Sequence, residues 1–402
     1  MNLTTRIQLI VITLLRFILN TLHRMTYPFL TIFARGLGVD VTAISFALTG
    51  RNLAGGLSPF LAPVADQRGR KVAMLAGSVT FTIGVSAVAL HPSLLTLTIA
   101  LIFGVLSKDL FDPAVQAFFG DRVPYEQRGT AIAITEMSWS LAFIAGVPLA
   151  GLLIAHSGWS APFPVLAVLG VGMFIVIWWV IPQTDVHYQP DTNSRVHWRV
   201  ILTSIPALAC ASIALWSSAA NEMVNLIFGV WLSDSFGLQI AALAGASAVI
   251  GFAELSGEGL VVLVTDRIGK PRAILAGLAG NMIASLLLPF IGRTEVGALI
   301  GLFLFYLSFE YMTVSQIPMM TEVVPQARAT ALALNLIGFS IGRGLGALLS
   351  AFVYQRFGFL IVTLIAMMFN IFAMLALAEM QRKIVILPHI LKWVRMTFSG
   401  KD

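Results

Sequence analysis

Charge and cysteine are what this chain has least of. Asp, Glu, Lys and Arg make up 11% of its 402 residues, against about 25% in soluble domains, so there is too little charge to coat an ordinary globular surface. The single cysteine, Cys210, lies inside an apolar segment, which excludes a disulfide framework and any multi-cysteine metal centre. No phosphate-cradling loop, zinc-ligand spacing or catalytic triad is written in the chain, so ATP-driven transport is excluded, no cofactor is implied and an enzyme is not expected. What is present is apolar: 58% hydrophobic residues and a mean hydropathy of +0.89. A bilayer-crossing helix takes about 20 residues, so this length holds roughly twelve spans on short connections, with no room for a soluble catalytic domain.

Long apolar runs bounded by charge, Gly or Pro mark twelve segments, numbered span 1 to span 12, at 7–34, 41–64, 72–90, 94–119, 130–155, 161–182, 200–232, 239–264, 273–291, 296–320, 330–354 and 358–378. The first is too long for a secretory signal and carries Arg16, His23 and Arg24, so it reads as a retained span. The expected fold is an all-α membrane protein of twelve transmembrane helices. Its parts are an N-terminal six-helix half at 1–182, a polar cytoplasmic linker at 183–199, a C-terminal six-helix half at 200–380 and an amphipathic cytoplasmic tail at 381–402.

Orientation follows from the cations. With the N-terminus inside, 17 of the 25 Lys and Arg fall in inner segments and three, Arg35, Arg293 and Arg356, in outer loops. This asymmetry puts both termini in the cytoplasm of a multi-pass inner-membrane protein. It also accounts for the formal charge of +6 without a nucleic-acid partner.

Five cations, Arg16, Arg24, Arg51, Lys108 and Arg343, fall within spans, as do seven acids, Asp109, Asp112, Glu136, Glu222, Glu254, Glu258 and Glu310. A charge at mid-span costs about 2.5–3.5 kcal/mol on insertion scales, so each must face protein, water or a partner. Spans 3, 6, 9 and 12 carry none. The pattern predicts a solvated cavity walled by eight helices and shielded from lipid by four.

Within span 4, Lys108 and Asp112 are i, i+4 neighbours able to pair, whereas Asp109 and Asp112 share a face, where repulsion favours a proton on one of them. Glu222, flanked by Asn221 and Asn225, and Glu310, one turn after Tyr306, are candidates for handling protons or substrate, against the alternative of pairing with Arg16, Arg24 or Arg51. Glu254 and Glu258 share one face of span 8. Arg16, Asn20 and His23 or Arg24 form a stripe on span 1 that would attract an anionic group or, equally, pair with those acids. Trp139, Trp216, Trp231, Phe228 and Tyr306 are candidates for stacking on cargo or for anchoring span ends.

An internal repeat appears when the chain is slid by 200 residues. Asp66-Gln67-Arg68-Gly69-Arg70-Lys71 then falls on Asp266-Arg267-Ile268-Gly269-Lys270-Pro271, Leu75-Ala76-Gly77 on Leu275-Ala276-Gly277, and Arg128 and Thr130-Ala131 on Arg328 and Thr330-Ala331. The halves read as parallel repeats about an axis along the membrane normal.

With this loop the chain resembles the major facilitator superfamily, whose pattern between spans 2 and 3 is Gly-x-x-x-Asp-Arg-x-Gly-Arg-Arg. Here Ala62 stands for the leading Gly and the first Arg is displaced by one. The resemblance implies two pseudo-symmetric six-helix halves and a cytoplasmic gate. In that gate Asp66 sits against the start of span 11 and Arg70 meets Asp121, with Arg68, Gly69, Lys71, Arg128 and Asp266 completing the motif. Arg343, in a glycine row on span 11, is expected to form a structural or gating pair. Gly146, Pro148 and Gly151 on span 5 resemble the motif of the twelve-span drug:proton antiporter branch, in which Pro bends the helix and small residues allow close packing.

The implied function is proton-coupled secondary transport by alternating access, exporting amphiphilic organic compounds from a monomer that partners with a small-molecule substrate, protons and the lipid bilayer. The alternative is a proton-coupled importer or symporter of a small anionic or zwitterionic metabolite, favoured by the cations of span 1. A membrane scaffold without transport would need all seven acids to be structural.

Overall fold

The computed structural model describes residues 3–61, 63–183, 194–323 and 328–398, the side chains at 125, 126, 129, 194–198, 266, 321, 328, 329 and 383–398 excepted. Among the described residues there is no strand. Most of the linker, the side chain of Asp266 and the face of the tail that would meet the membrane therefore lie outside the described residues.

Ten helices among the described residues are long and apolar enough to cross a bilayer, and eleven if the bent pair Leu30–Leu37 and Val41–Arg68 is one span. The longest run, Thr330–Arg382, has 53 residues. Straight, it would reach about 80 Å at about 1.5 Å per residue, well beyond a hydrocarbon core of about 30 Å. It is interrupted at Gly358 (φ 78°, ψ 179°), where the sequence begins span 12. The count of twelve rests on dividing the run there. Side chains rarely enter that backbone region, so Gly358→Ala should lower stability by about 1 kcal/mol or more, seen as a lower thermal midpoint of the detergent-solubilised protein.

The backbone repeats itself at the spacing of the loop motif. Six glycines have positive φ, Gly38 (66°), Gly69 (95°), Gly158 (88°), Gly237 (66°), Gly269 (86°) and Gly358 (78°). They form three pairs 199 or 200 residues apart, each closing a turn between helices.

Two expected spans are broken where proline dictates. The run 7–34 stops at Met25 and resumes at Leu30, because Pro28 lacks an amide donor and disfavours helical Tyr27 before it. The run 200–232 divides into Ser194–Thr203 and Ile205–Phe236. Ser204, two residues before Pro206, caps the second helix by accepting from the Ala207 amide.

The uncharged helices show apolar side chains to the surroundings: Val168 (73% exposed) and Trp179 (81%) on span 6, Ile83 on span 3, Ile283 on span 9 and Leu375 on span 12. The charged side chains of the other helices turn inward, down to Arg51 (1%) and Glu222 (0%). Charge that would be costly in hydrocarbon is thus held against protein.

The two halves meet along span 2 with span 11, where Ser45 donates to the Ala347 carbonyl and Thr42 to Gln355 Oε1 at 3.1 Å. They meet again along span 5 with span 8, where a Cβ on Gly251 would lie 2.8 Å from the Ser140 carbonyl oxygen. Such closeness is available only to glycine. Among the described residues the ion pairs nearest the basic loops, by contrast, stay within one half: Arg70–Asp121 in the first and Lys270–Glu322 in the second.

Candidate functional site

The inward charges form three groups stacked along the bundle. In the first, Arg16 donates from Nε to Asp112 (2.9 Å) and from both Nη atoms to Glu136 (2.8 and 3.1 Å). Lys108 Nζ lies 3.2 Å from the other Asp112 oxygen and donates to Asn20 Oδ1, while Asn20 Nδ2 donates to Ser138 Oγ at 3.1 Å. The i, i+4 pair of span 4 is as expected, and Arg16 and Lys108 are tied to acids. Asp109 and Asp112 part company: Asp112 turns to span 1, whereas Asp109 lies by Ser58 of span 2 with a buried, unpartnered Oδ2.

The second group joins the halves. Arg51 donates to the Tyr27 hydroxyl, which in turn donates to Glu222 Oε1 at 2.9 Å. Asn52 (3.1 Å) and Asn225 (3.2 Å) donate to the same carboxylate, and Tyr306 donates to Asn225 Oδ1 at 2.7 Å. With Arg51 Nη2 4.0 Å away, Glu222 has donors on both oxygens and no exposed surface. Of the two readings of Glu222, the geometry shows the interhelical one, with Arg51 as cation and Tyr27 as the bridge.

In the third group Arg24 forms a buried ion pair with Glu254 across the halves, its guanidinium 4.1 Å from the Trp139 ring centre and 3.7 Å from that of Phe143. Glu258 accepts from Ser140 Oγ at 3.3 Å. Gly257 brings span 8 onto span 10, its missing Cβ only 3.0 Å from Glu310 Cβ, so both span 8 glutamates act electrostatically on Glu310. Glu310 itself makes no hydrogen bond or ion pair among the described residues.

Arg343 departs from its expected role. It forms no ion pair among the described residues; its guanidinium rests 5.9 Å from Trp139 and 5.4 Å from Phe339, apart from the gate residues. Its backbone carbonyl accepts from Asn52 at 3.2 Å. His23 lies 5.3 Å from the same indole, with both ring nitrogens buried and unpartnered. Trp216 and Trp231 are committed to packing, Trp216 on Phe369 and Phe372 and Trp231 stacked on Phe359 at 3.9 Å. Trp139 alone of the three meets the inward charges.

Tyr27 and Asn52 had no place among the candidates, and Ser138 had none either. The signal for Asn52 was its place beside Arg51, two polar residues together in an apolar run.

The sequence profile of the Major Facilitator Superfamily matches residues 12–322. The chain belongs to that family. Superfamily relatives include the MFS-type transporter YwfA of Bacillus subtilis (strain 168), 25% identical over 353 residues (84% of this chain, 83% of the relative). Another is the inner membrane transport protein YdhP of Escherichia coli (strain K12), 25% identical over 321 residues (79% and 81%). A third is a multi-drug resistance efflux pump PmrA homolog of Lactococcus lactis, 24% identical over 290 residues (68% and 70%). The fold matches a bacterial homolog of the human lysosomal transporter Spinster, inward-facing and unoccupied, with a TM-score of 0.75 at 15% identity over 94% of this chain and 97% of that one. The chain is a multi-pass membrane transporter with the major facilitator fold, and not an enzyme.

The superfamily loop is built as follows. Arg70 pairs with Asp66 one turn before it and, through Nε, with Asp121 at 3.3 Å. Lys71 donates to the Trp178 carbonyl at 2.6 Å, Arg128 to that of Val123 at 3.0 Å, and Gly69 supplies the positive φ that turns the chain. Arg68 is exposed. Asp66 meets Arg70 on its own helix, and among the described residues it makes no hydrogen bond or ion pair with the start of span 11, on the helix that begins at Arg328. On span 5 the antiporter-like motif coincides with a π-helical turn at Ala142–Gly146. Gly146 abuts Thr21 of span 1, and a Cβ on Gly151 would lie 2.9 Å from Phe29, so both glycines serve close approach.

Proposed function

We propose that the protein is a proton-coupled secondary active transporter of the inner membrane, working by alternating access and exporting amphiphilic organic compounds in exchange for protons, with both termini in the cytoplasm. The observation that carries the reading is Glu310, a 9% exposed carboxyl with no hydrogen-bond or ion-pair partner among the described residues. It lies against Glu254 and Glu258, and the three carboxyls share one ion-paired cation, Arg24, which comes from the other half, while Arg343 acts on Glu254 and Glu310 from beyond ion-pair distance. Protons then balance the excess negative charge, and the balance changes as Arg24 moves with its half. Exchange of protons for cargo needs no covalent step. Export agrees with the names of two relatives, the Lactococcus pump and a probable sugar efflux transporter of Pasteurella multocida.

The rival reading, import or symport of a small anionic metabolite, drew on the span 1 cations. Arg16 and Arg24 have carboxylate partners, which leaves His23 as the part of that stripe whose ring nitrogens have no partner among the described residues.

Proteoliposomes with a pH-sensitive dye in the lumen decide the matter. Adding amphiphilic solutes outside should alkalinise the lumen as solute enters and protons leave. Solute-induced acidification would show symport, and no response to any solute in a broad panel would overturn proton-coupled transport.

A further inference from the structure

Unsatisfied donors gather around one indole. Four basic groups surround Trp139: Arg24, Lys108 (5.2 Å from the ring centre), Arg343 and His23. Arg24 and Lys108 each have a carboxylate, whereas Arg343 has none among the described residues. Nε of Arg343, Nε of Arg24 and both nitrogens of His23 are buried without a hydrogen-bond partner. Buried polar atoms are satisfied in the great majority of cases, so a cluster of orphans in one place needs an occupant. With Arg24 and Lys108 each held by a carboxylate, Arg343 is the guanidinium at the indole left without a close counter-charge among the described residues, and water would supply it hydrogen bonds but no charge.

The place is also reachable. Arg343, Trp139 and Phe339 are each only half-buried, while the neighbouring pair Arg24–Glu254 is almost fully so. Trp139 belongs to the first half and Arg343 to the second. A ligand seated between them touches both bodies that move relative to one another, and its apolar part has the two rings to lie against.

We propose that Arg343 holds an oxyanion of the cargo beside Trp139, so that the compounds carried are amphiphilic organic anions. The assignment rests on the transporter reading above. A guanidinium offers five donors in a fixed fork that match a carboxylate or sulfonate, and His23 adds a further nitrogen. Because Arg343 makes no ion pair among the described residues, with Glu254 and Glu310 acting on it only from beyond ion-pair distance, the ligand displaces no carboxylate from its fork, and an amine would meet a guanidinium of like charge.

Four probes with one ring system test this: 2-naphthoate, 2-naphthalenesulfonate, methyl 2-naphthoate and 2-naphthylmethylammonium, each dialysed to equilibrium against the purified full-length protein in nanodiscs. Both anions should bind at least about tenfold tighter than the ester and the amine. Arg343→Gln should erase that preference, and Arg343→Lys, which keeps a point charge and loses the fork, should retain part of it. The comparison of probes on the unaltered protein does not depend on either variant folding, and thermal midpoints report whether the variants fold. Tightest binding by the amine or the ester, no binding by either anion, or an unchanged preference in a folded Arg343→Gln overturns the assignment. The same four compounds in the vesicle-pH assay, each corrected for the response of protein-free vesicles, separate the two readings: a pH response to the amine or ester alone sinks the anion site and leaves proton-coupled transport, whereas silence toward every solute of the wider panel sinks proton-coupled transport.

Discussion

Arg24→Met is expected to cost about 3–5 kcal/mol of stability, the range for removing one member of a buried ion pair. Glu254, 2% exposed, would be left charged or forced to take up a proton, beside Glu258 and Glu310. The double variant Arg24→Met with Glu254→Leu should be markedly more stable than the single one, because it leaves no orphaned carboxylate. It should still fall below the native protein, since the contacts of Arg24 with the Trp139 and Phe143 rings are each worth about 0.5–2 kcal/mol. Thermal unfolding of all three in the same detergent reads the order. Equal stability of the single and double variants would mean that charge pairing does not hold span 1 to span 8.

The same pair shows where sequence reading reaches its limit. Arg24 and Glu254 are both recognisable as charges in apolar runs, and their cost in hydrocarbon fixes that they must face inward. Which acid meets which arginine is another matter: 230 residues separate this pair, and their meeting depends on helix rotation and tilt set by packing throughout the bundle. Arg16 could as well have met the acids of span 7; it meets Asp112 and Glu136. By contrast the 200-residue repeat was legible because it is written locally, in loop motifs, and the backbone extends it to Gly38 with Gly237 and Gly158 with Gly358. The breaks near Pro28 and Ser204 were legible in principle, since proline acts on its immediate neighbours, but the uninterrupted apolar composition on either side masked them. The role of Arg343 was the least legible. A glycine row around a cation suggests tight packing with a paired charge, and only the arrangement in space reveals a guanidinium beside two rings with no ion pair among the described residues.

Glu310→Gln is expected to abolish proton-coupled flux, by two orders of magnitude or more if the titrating group is lost outright, while exchange of labelled for unlabelled cargo survives. The logic is that an amide keeps the size of the side chain and its place on span 10 but cannot take up or release a proton. Cargo-for-cargo exchange needs the cavity to change sides only when loaded, so it does not require the proton step. Glu222→Gln is the informative counterpart. That carboxylate accepts from Tyr27, Asn52 and Asn225 at once, and an amide presents donors where two of these partners also donate. Loss of stability and of both kinds of flux is therefore expected there, with no selective uncoupling, because the group works as a clasp between halves. Lumen pH and labelled-cargo exchange, measured in the same vesicles, separate the two outcomes. Should Glu310→Gln retain normal proton-linked flux while Glu222→Gln uncouples and folds, the two acids have each other's roles.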